Sequence, residues 1–176
     1  MSRAILFGFY AFCAFNFVKW QKFANFKSSK IFPMNYDVFI SYSRKDTIIA
    51  DRICEAFDKV GISYFIDRKC IPVGCVITDV ILENVRSAKI YLVLASKNSY
   101  DSGWVEDGLR YRWHLEREEN RENSIILYII DDSEMPFFWK FVLDHSLPSR
   151  SIGSFNMRDF PIEPYLVDKV LGMLER

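Results

Sequence analysis

One stretch constrains the fold more than any other: Tyr36-Asp37-Val38-Phe39-Ile40-Ser41-Tyr42-Ser43-Arg44-Lys45-Asp46. Val38, Phe39 and Ile40 are consecutive apolar residues, so a strand built from them needs cover on both faces, as a central strand of a parallel sheet has. Ser43 to Asp46 then supplies turn and helix N-cap chemistry. A strand that empties into a polar loop and a helix puts that loop at the carboxyl edge of the sheet, where open α/β folds bind ligands.

The chain downstream repeats that rhythm. Ile49, Ile53, Phe57 and Val60 form one stripe of an amphipathic helix, which Gly61 closes with a left-handed residue. Ile62–Ile66 predicts the second strand, followed by a loop over Asp67–Gly74 and a helix over roughly 75–87. Lys89–Ala95 is a third, continuously apolar strand, and a polar loop leads from Ser96 to a helix over about 103–118, with Asp101 or Ser102 as its cap. Ile125–Ile130 is a fourth strand. A short buried helix is expected within 133–150, around Phe137, Phe138 and Trp139, then a weak fifth strand near Ile152–Met157 and a final helix with Pro164 in its first turn. Strand and helix alternate every 25–35 residues or so, the spacing of right-handed βαβ units. The expected architecture is α/β and flavodoxin-like: a five-stranded parallel sheet with helices on both faces.

Composition narrows the function. Half of the 176 residues are hydrophobic and 16% aromatic, enough for a packed core and incompatible with disorder. The net charge of zero conceals a split. Residues 1–34 carry five basic residues (Arg3, Lys19, Lys22, Lys27, Lys30) and no acid, leaving 18 basic and 23 acidic residues for 35–176. A domain that acidic is a poor nucleic-acid binder. Cys13, Cys54, Cys70 and Cys75 have no zinc or redox spacing and read as reduced thiols of a cytoplasmic protein. No metal motif, Gly-rich phosphate loop or catalytic triad is present, and neither His114 nor His145 has a partner at a recognisable spacing.

Residues 1–34 form a segment apart. Ala4–Val18 is apolar except for Asn16, but fifteen residues fall short of the ~20 that span a bilayer, and no signal cleavage site follows. Three readings stand: a start codon set upstream of the true one at Met34, a short membrane anchor through residues 4–18, or an extra helix. None alters the domain expected over 35–176.

Within that domain the opening box Tyr36–Asp46 resembles that of Toll/interleukin-1 receptor (TIR) domains, bacterial ones in particular. So do Ile71-Pro72-Val73-Gly74, Leu94-Ala95-Ser96-Lys97-Asn98-Ser99, Ser102-Gly103-Trp104-Val105 and Asn156-Met157-Arg158-Asp159-Phe160-Pro161, in that order and at the family's spacing. A response regulator, another flavodoxin-like possibility, is set aside because the first strand lacks paired acids for a metal.

The resemblance implies two kinds of function. TIR domains associate with one another to pass signals, chiefly through the loop after the second strand, which points here to Arg68, Ile71, Pro72, Val73 and Gly74 as interface residues and to other TIR domains as partners in a homo-oligomer. Many TIR domains also cleave nicotinamide from NAD+, and some act in antiviral defence or host interaction. NAD+ is thus a possible substrate, and no cofactor is expected. By the same resemblance Phe39, Ser43, Arg44 and Trp104 would lie around the ligand. The carboxylate that stabilises the oxocarbenium-like charge is a Glu four residues after the Trp.

That position is Gly108. It lies within ~40° of Trp104 around a helix, whereas Glu106 lies about 200° away and is a weak substitute. Asp107 is the other nearby acid. Glycine costs roughly 1 kcal/mol in a helix interior. With no packing reason evident in the sequence, Gly108→Glu is expected to raise the melting temperature and to complete the pocket. The leading expectation is a signalling module acting by homotypic association, and the alternative is an NAD+ glycohydrolase using another acid.

Overall fold

The structure is a computed structural model that describes residues 35–67, 77–119, 124–144 and 153–175. The N-terminal segment and the interface residues expected at Arg68, Ile71, Pro72, Val73 and Gly74 lie outside the described residues.

Five strands form one parallel sheet: β1 (Val38–Ser41), β2 (Tyr64–Phe65), β3 (Ile90–Ala95), β4 (Ile125–Ile129) and β5 (Gly153–Asn156), in the order β2-β1-β3-β4-β5. The order reverses at β1, so the chain leaves β1 to one side and β3 to the other, which makes the carboxyl ends of these two strands the switch point of the fold. Every residue of β1 and β3 is buried, as consecutive apolar residues require of strands covered twice.

The pleat divides the strands between two layers. Val38, Ile40, Leu92, Leu94, Ile126 and Tyr128 face helix α1 (Thr47–Val60) and the C-terminal helix α6 (Val167–Leu174), whose Ile53, Phe57, Val167 and Val170 complete that core. Gly61 closes α1 at φ +76°, the left-handed geometry expected of it. Phe39, Ser41 and Tyr91 alternate with those residues and so belong to the opposite face. The helices outside the first core are α2 (Ile77–Ser87), the short α3 (Lys97–Tyr100), α4 (Gly103–Glu118) and α5 (Phe137–Asp144). Contacts of Trp113 with Phe138 and of Tyr100 with Trp139 join α4 and α3 to α5.

Three local details depart from the sequence expectations. The loop after β3 contains the helical turn α3, capped by Ser96, whose Oγ accepts from the Ser99 amide. Asp46 does not use its side chain to cap α1. The last helix is split: Glu163 is extended, so Pro164 belongs to a separate turn over Ile162–Leu166 and α6 starts at Val167.

Beneath α4 lies an unanticipated buried arginine. Arg112 is fully buried and donates to the carbonyls of Val85, Arg86 and Lys89 at 2.6, 3.3 and 3.1 Å and to Ser124 Oγ at 2.6 and 3.0 Å. Glu116, one turn on, accepts from the Ser124 amide at 3.1 Å and from its hydroxyl. A single guanidinium thus satisfies carbonyls that the end of α2 leaves open and ties α2, α4, β3 and β4 together.

Candidate functional site

All five strands end at one edge, and the loops there are held by carboxylates. Asp46 accepts from Ser96 Oγ at 2.6 Å and from Asn98 Nδ2 at 2.7 Å. The loop after β1 is thereby clamped to the loop after β3 across the switch point. Asp67, at the end of the β2 segment, accepts from Tyr42 Oη at 3.3 Å and lies 3.9 Å from Arg44 Nη2. Asp131, after β4, accepts from the amides of Lys97 and Ser133 at 2.9 and 3.0 Å. Its partial burial would raise its pKa, but these amide bonds outweigh it and hold the carboxyl below its usual range. Asp132 pairs with Arg158, beyond β5.

Of the residues anticipated around a ligand, three lie at this edge. Ser43 is nearly buried, and its carbonyl accepts from the Asp46 amide at 2.7 Å. The Arg44 side chain is 89% exposed and points its charge to solvent apart from the long contact with Asp67. Trp104 stands in the first turn of α4 with 62% of its surface exposed, so it offers a free aromatic face.

Phe39 belongs elsewhere. It is 6% exposed and lies in a row of stacked rings that crosses the sheet, Phe65 to Phe39 at 5.2 Å and Phe39 to Tyr91 at 5.3 Å between centroids. The three residues share one register across β2, β1 and β3. Its ring serves packing in this row.

Glu106 is engaged on the side of α4 away from Trp104. It pairs with Arg110 one turn on, and the Arg110 guanidinium lies 3.6 Å from the centroid of Phe138 on α5. Asp107 is exposed.

Gly108 has the packing reason that the sequence concealed. A Cβ placed on it would stand 2.5 Å from Tyr91 Oη and 3.7 Å from Tyr91 Cζ. The first distance is far inside van der Waals contact, and Tyr91 is fully buried within the row of stacked rings. The expectation that Gly108→Glu stabilises the helix is therefore corrected: propensity gains roughly 1 kcal/mol, but overpacking against the buried Tyr91 side chain costs typically 1–3 kcal/mol. The Tyr91 hydroxyl has no hydrogen-bond partner. Burial pushes its pKa up, and nearby Ser41 and Arg112 oppose that only in part. Nothing in the sequence near position 108 announces Tyr91, because the contact joins a strand to a helix seventeen residues later.

Comparison with known proteins follows the same lines. A family model described as "TIR domain" matches residues 38–162. "NAD(+) hydrolase TirS" of Staphylococcus aureus (strain MSSA476) is 30% identical over 139 residues, which are 77% of this chain and 41% of that protein. The chain therefore spans less than half the length of that relative. Among solved structures, the TIR domain of the Toll-related receptor TRR-2 from Hydra magnipapillata superposes with a TM-score of 0.62 at 16% identity, covering 80% of this chain and 99% of that one. The TIR domains of the activated Roq1 resistosome superpose with a TM-score of 0.52 at 19% identity, covering 80% of each chain. At these identities the structures attest the fold alone.

Proposed function

The chain belongs to the TIR domain family, and on that premise we propose that it is a cytoplasmic signalling module that acts by associating with other TIR domains, without NAD+ turnover from position 108. The observation that carries this reading is the contact between Gly108 and Tyr91. The position expected to hold the family's glutamate has no side chain, and the space where one would begin is filled by the Tyr91 hydroxyl 2.5 Å away. The acids nearby are otherwise engaged or exposed: Glu106 with Arg110, Asp46 with Ser96 and Asn98, Asp67 with Tyr42 and Arg44, and Asp107 open to solvent.

Association is supported by the sequence after β2, which sets the apolar Ile71, Pro72 and Val73 beside the basic Arg68 and Lys69. Among the described residues no helix is long and apolar enough to cross a membrane.

A second reading keeps the activity named for the staphylococcal relative: a TIR NAD+ hydrolase that takes its acid from Glu106, Asp107 or a partner subunit. Exposed Trp104 and Arg44 favour it, since an aromatic face and a largely solvent-exposed guanidinium suit a dinucleotide. Two measurements separate the readings. Concentrated protein incubated with NAD+ should release no nicotinamide above a heat-killed control, and Pro72→His or Ile71→Asp should shift the sedimenting species toward monomer with little change in melting temperature. Turnover by the unmodified protein that Glu106→Ala abolishes would establish the hydrolase.

A further inference from the structure

We propose that Tyr91 is a specificity-determining residue of this edge: paired with Gly108 it forms a steric lock that keeps α4 from carrying an acid beside Trp104. The proposal rests on the reading that position 108 is where the family's glutamate would stand, and it assigns the control of that position to a different element, strand β3.

The lock follows from four features. Tyr91 is fully buried, so its ring has no solvent to swing into. It stacks on Phe39 at 5.3 Å and 19°, and Phe39 stacks in turn on Phe65 at 5.2 Å and 15°, which fixes the direction in which the phenol points. The strand register places all three rings in one row, so moving one requires moving its neighbour. At the end of that row the hydroxyl lies 2.5 Å from where a Cβ on Gly108 would be, while Cζ lies 3.7 Å from it, an ordinary contact distance. One oxygen atom is therefore the whole obstruction.

That oxygen has no other employment. It makes no hydrogen bond of normal geometry, though the Ser41 side chain lies close by. A buried hydroxyl without a partner is a net burden to stability, so no hydrogen bond accounts for its presence. A phenylalanine at position 91 would keep the ring row and remove the obstruction. Because Tyr91 is sealed from solvent it would never touch a dinucleotide. It acts by deciding what α4 can present.

The test is a double-variant cycle on the full chain, read by melting temperature and by nicotinamide release from NAD+. Gly108→Glu alone should lower the melting temperature by up to roughly 8 °C, since the new side chain collides with the phenol. Tyr91→Phe alone should leave it unchanged or slightly raised. The double variant should melt at or above Tyr91→Phe, because the Cβ at position 108 is left with an ordinary contact to Cζ and the helix gains propensity. It should also release nicotinamide ~10²-fold or more faster than Gly108→Glu, as a preorganised charge typically contributes. Should Gly108→Glu give no soluble protein, Gly108→Ala in the two backgrounds supplies the same cycle with the Cβ alone.

Additive melting temperatures would overturn the lock. Equal nicotinamide release by Gly108→Glu and the double variant, or none by a well-folded double variant, would overturn the claim that Tyr91 is what withholds turnover. The signalling reading fails on a different result, turnover by the unmodified protein, so the two failures are distinguishable.

Discussion

Replacing Arg112 by methionine probes how much of the fold hangs on one buried charge. Methionine keeps an unbranched apolar stem in place of the arginine's methylenes, so packing along the stem is largely preserved and the loss falls mainly on the guanidinium. That group serves the carbonyls of Val85, Arg86 and Lys89 and the Ser124 hydroxyl, and it stands 3.9 Å from Glu116. Without it three carbonyls lose a donor, and Glu116, 9% exposed, loses a positive charge 3.9 Å away. A buried pair broken on one side costs about 3–5 kcal/mol. Against a total stability of about 5–15 kcal/mol this is a large fraction, equivalent to a drop of roughly 6–20 °C in melting temperature. The assay is urea unfolding followed by circular dichroism, with Glu116→Gln as the second arm. Glutamine still accepts from the Ser124 amide but carries no charge, so Glu116→Gln should destabilise the unmodified protein and partly rescue Arg112→Met. A loss below about 1 kcal/mol in Arg112→Met, or no rescue by the second change, would refute the argument that the charge and its carbonyl partners hold α2, α4 and β4 together.

Two other expectations concern the edges of the sheet. Asp37 accepts from Lys89 Nζ at 2.7 Å and from Ser63 Oγ at 2.6 Å; burial opposes its ionisation, but these bonds outweigh burial and lower its pKa from 3.8. A lowered carboxylate stabilises the fold above its unfolded pKa and loses that contribution as pH falls through the folded value, so Asp37→Asn should flatten the stability profile below about pH 4 and leave its slope near pH 7 unchanged. Asp46→Ala should cost roughly 1–3 kcal/mol by leaving Ser96 and Asn98 without their shared acceptor, and should speed amide exchange in the Ser96–Ser102 loop while the amides of β4 stay protected.

The layering of the fold was legible because it depends on local pattern. Unbroken apolar runs at Val38–Ile40 and Ile90–Ala95 specify strands covered on both faces, and the stripe of Ile53 and Phe57 specifies the side of α1 that covers them. Strand β2 was overdrawn, to Ile62–Ile66 where only Tyr64 and Phe65 pair, because apolar residues flanking an edge strand pack without joining the ladder. The short α3 reads as loop, since its sequence, Lys97-Asn98-Ser99-Tyr100, has no apolar period; the cap from Ser96 and the anchoring of Asn98 and Lys97 by Asp46 and Asp131 hold it in a turn. Asp46 read as a helix cap from its position alone. Its true partners are fifty and fifty-two residues away, and no local rule points to them.

Gly108 shows why the site was harder to read than the fold. Helix propensity is a sum over neighbours in sequence, and on that scale the glycine is simply unfavourable. Its justification lies across a packing interface, in the last oxygen of a ring whose direction is set by two further rings on two further strands. Each of Phe65, Phe39 and Tyr91 suits a strand on its own, and each reads as ordinary core. Only the parallel register, with Phe39 opposite both Phe65 and Tyr91, turns them into a rigid row that ends at α4. A glycine that looks like the loss of a functional group when read along the helix is therefore, read across the sheet, the complement of a tyrosine. The same reasoning applies to any position judged degenerate by comparison with a family pattern: the residue that replaced the expected one has to be judged against the atoms that now fill its space.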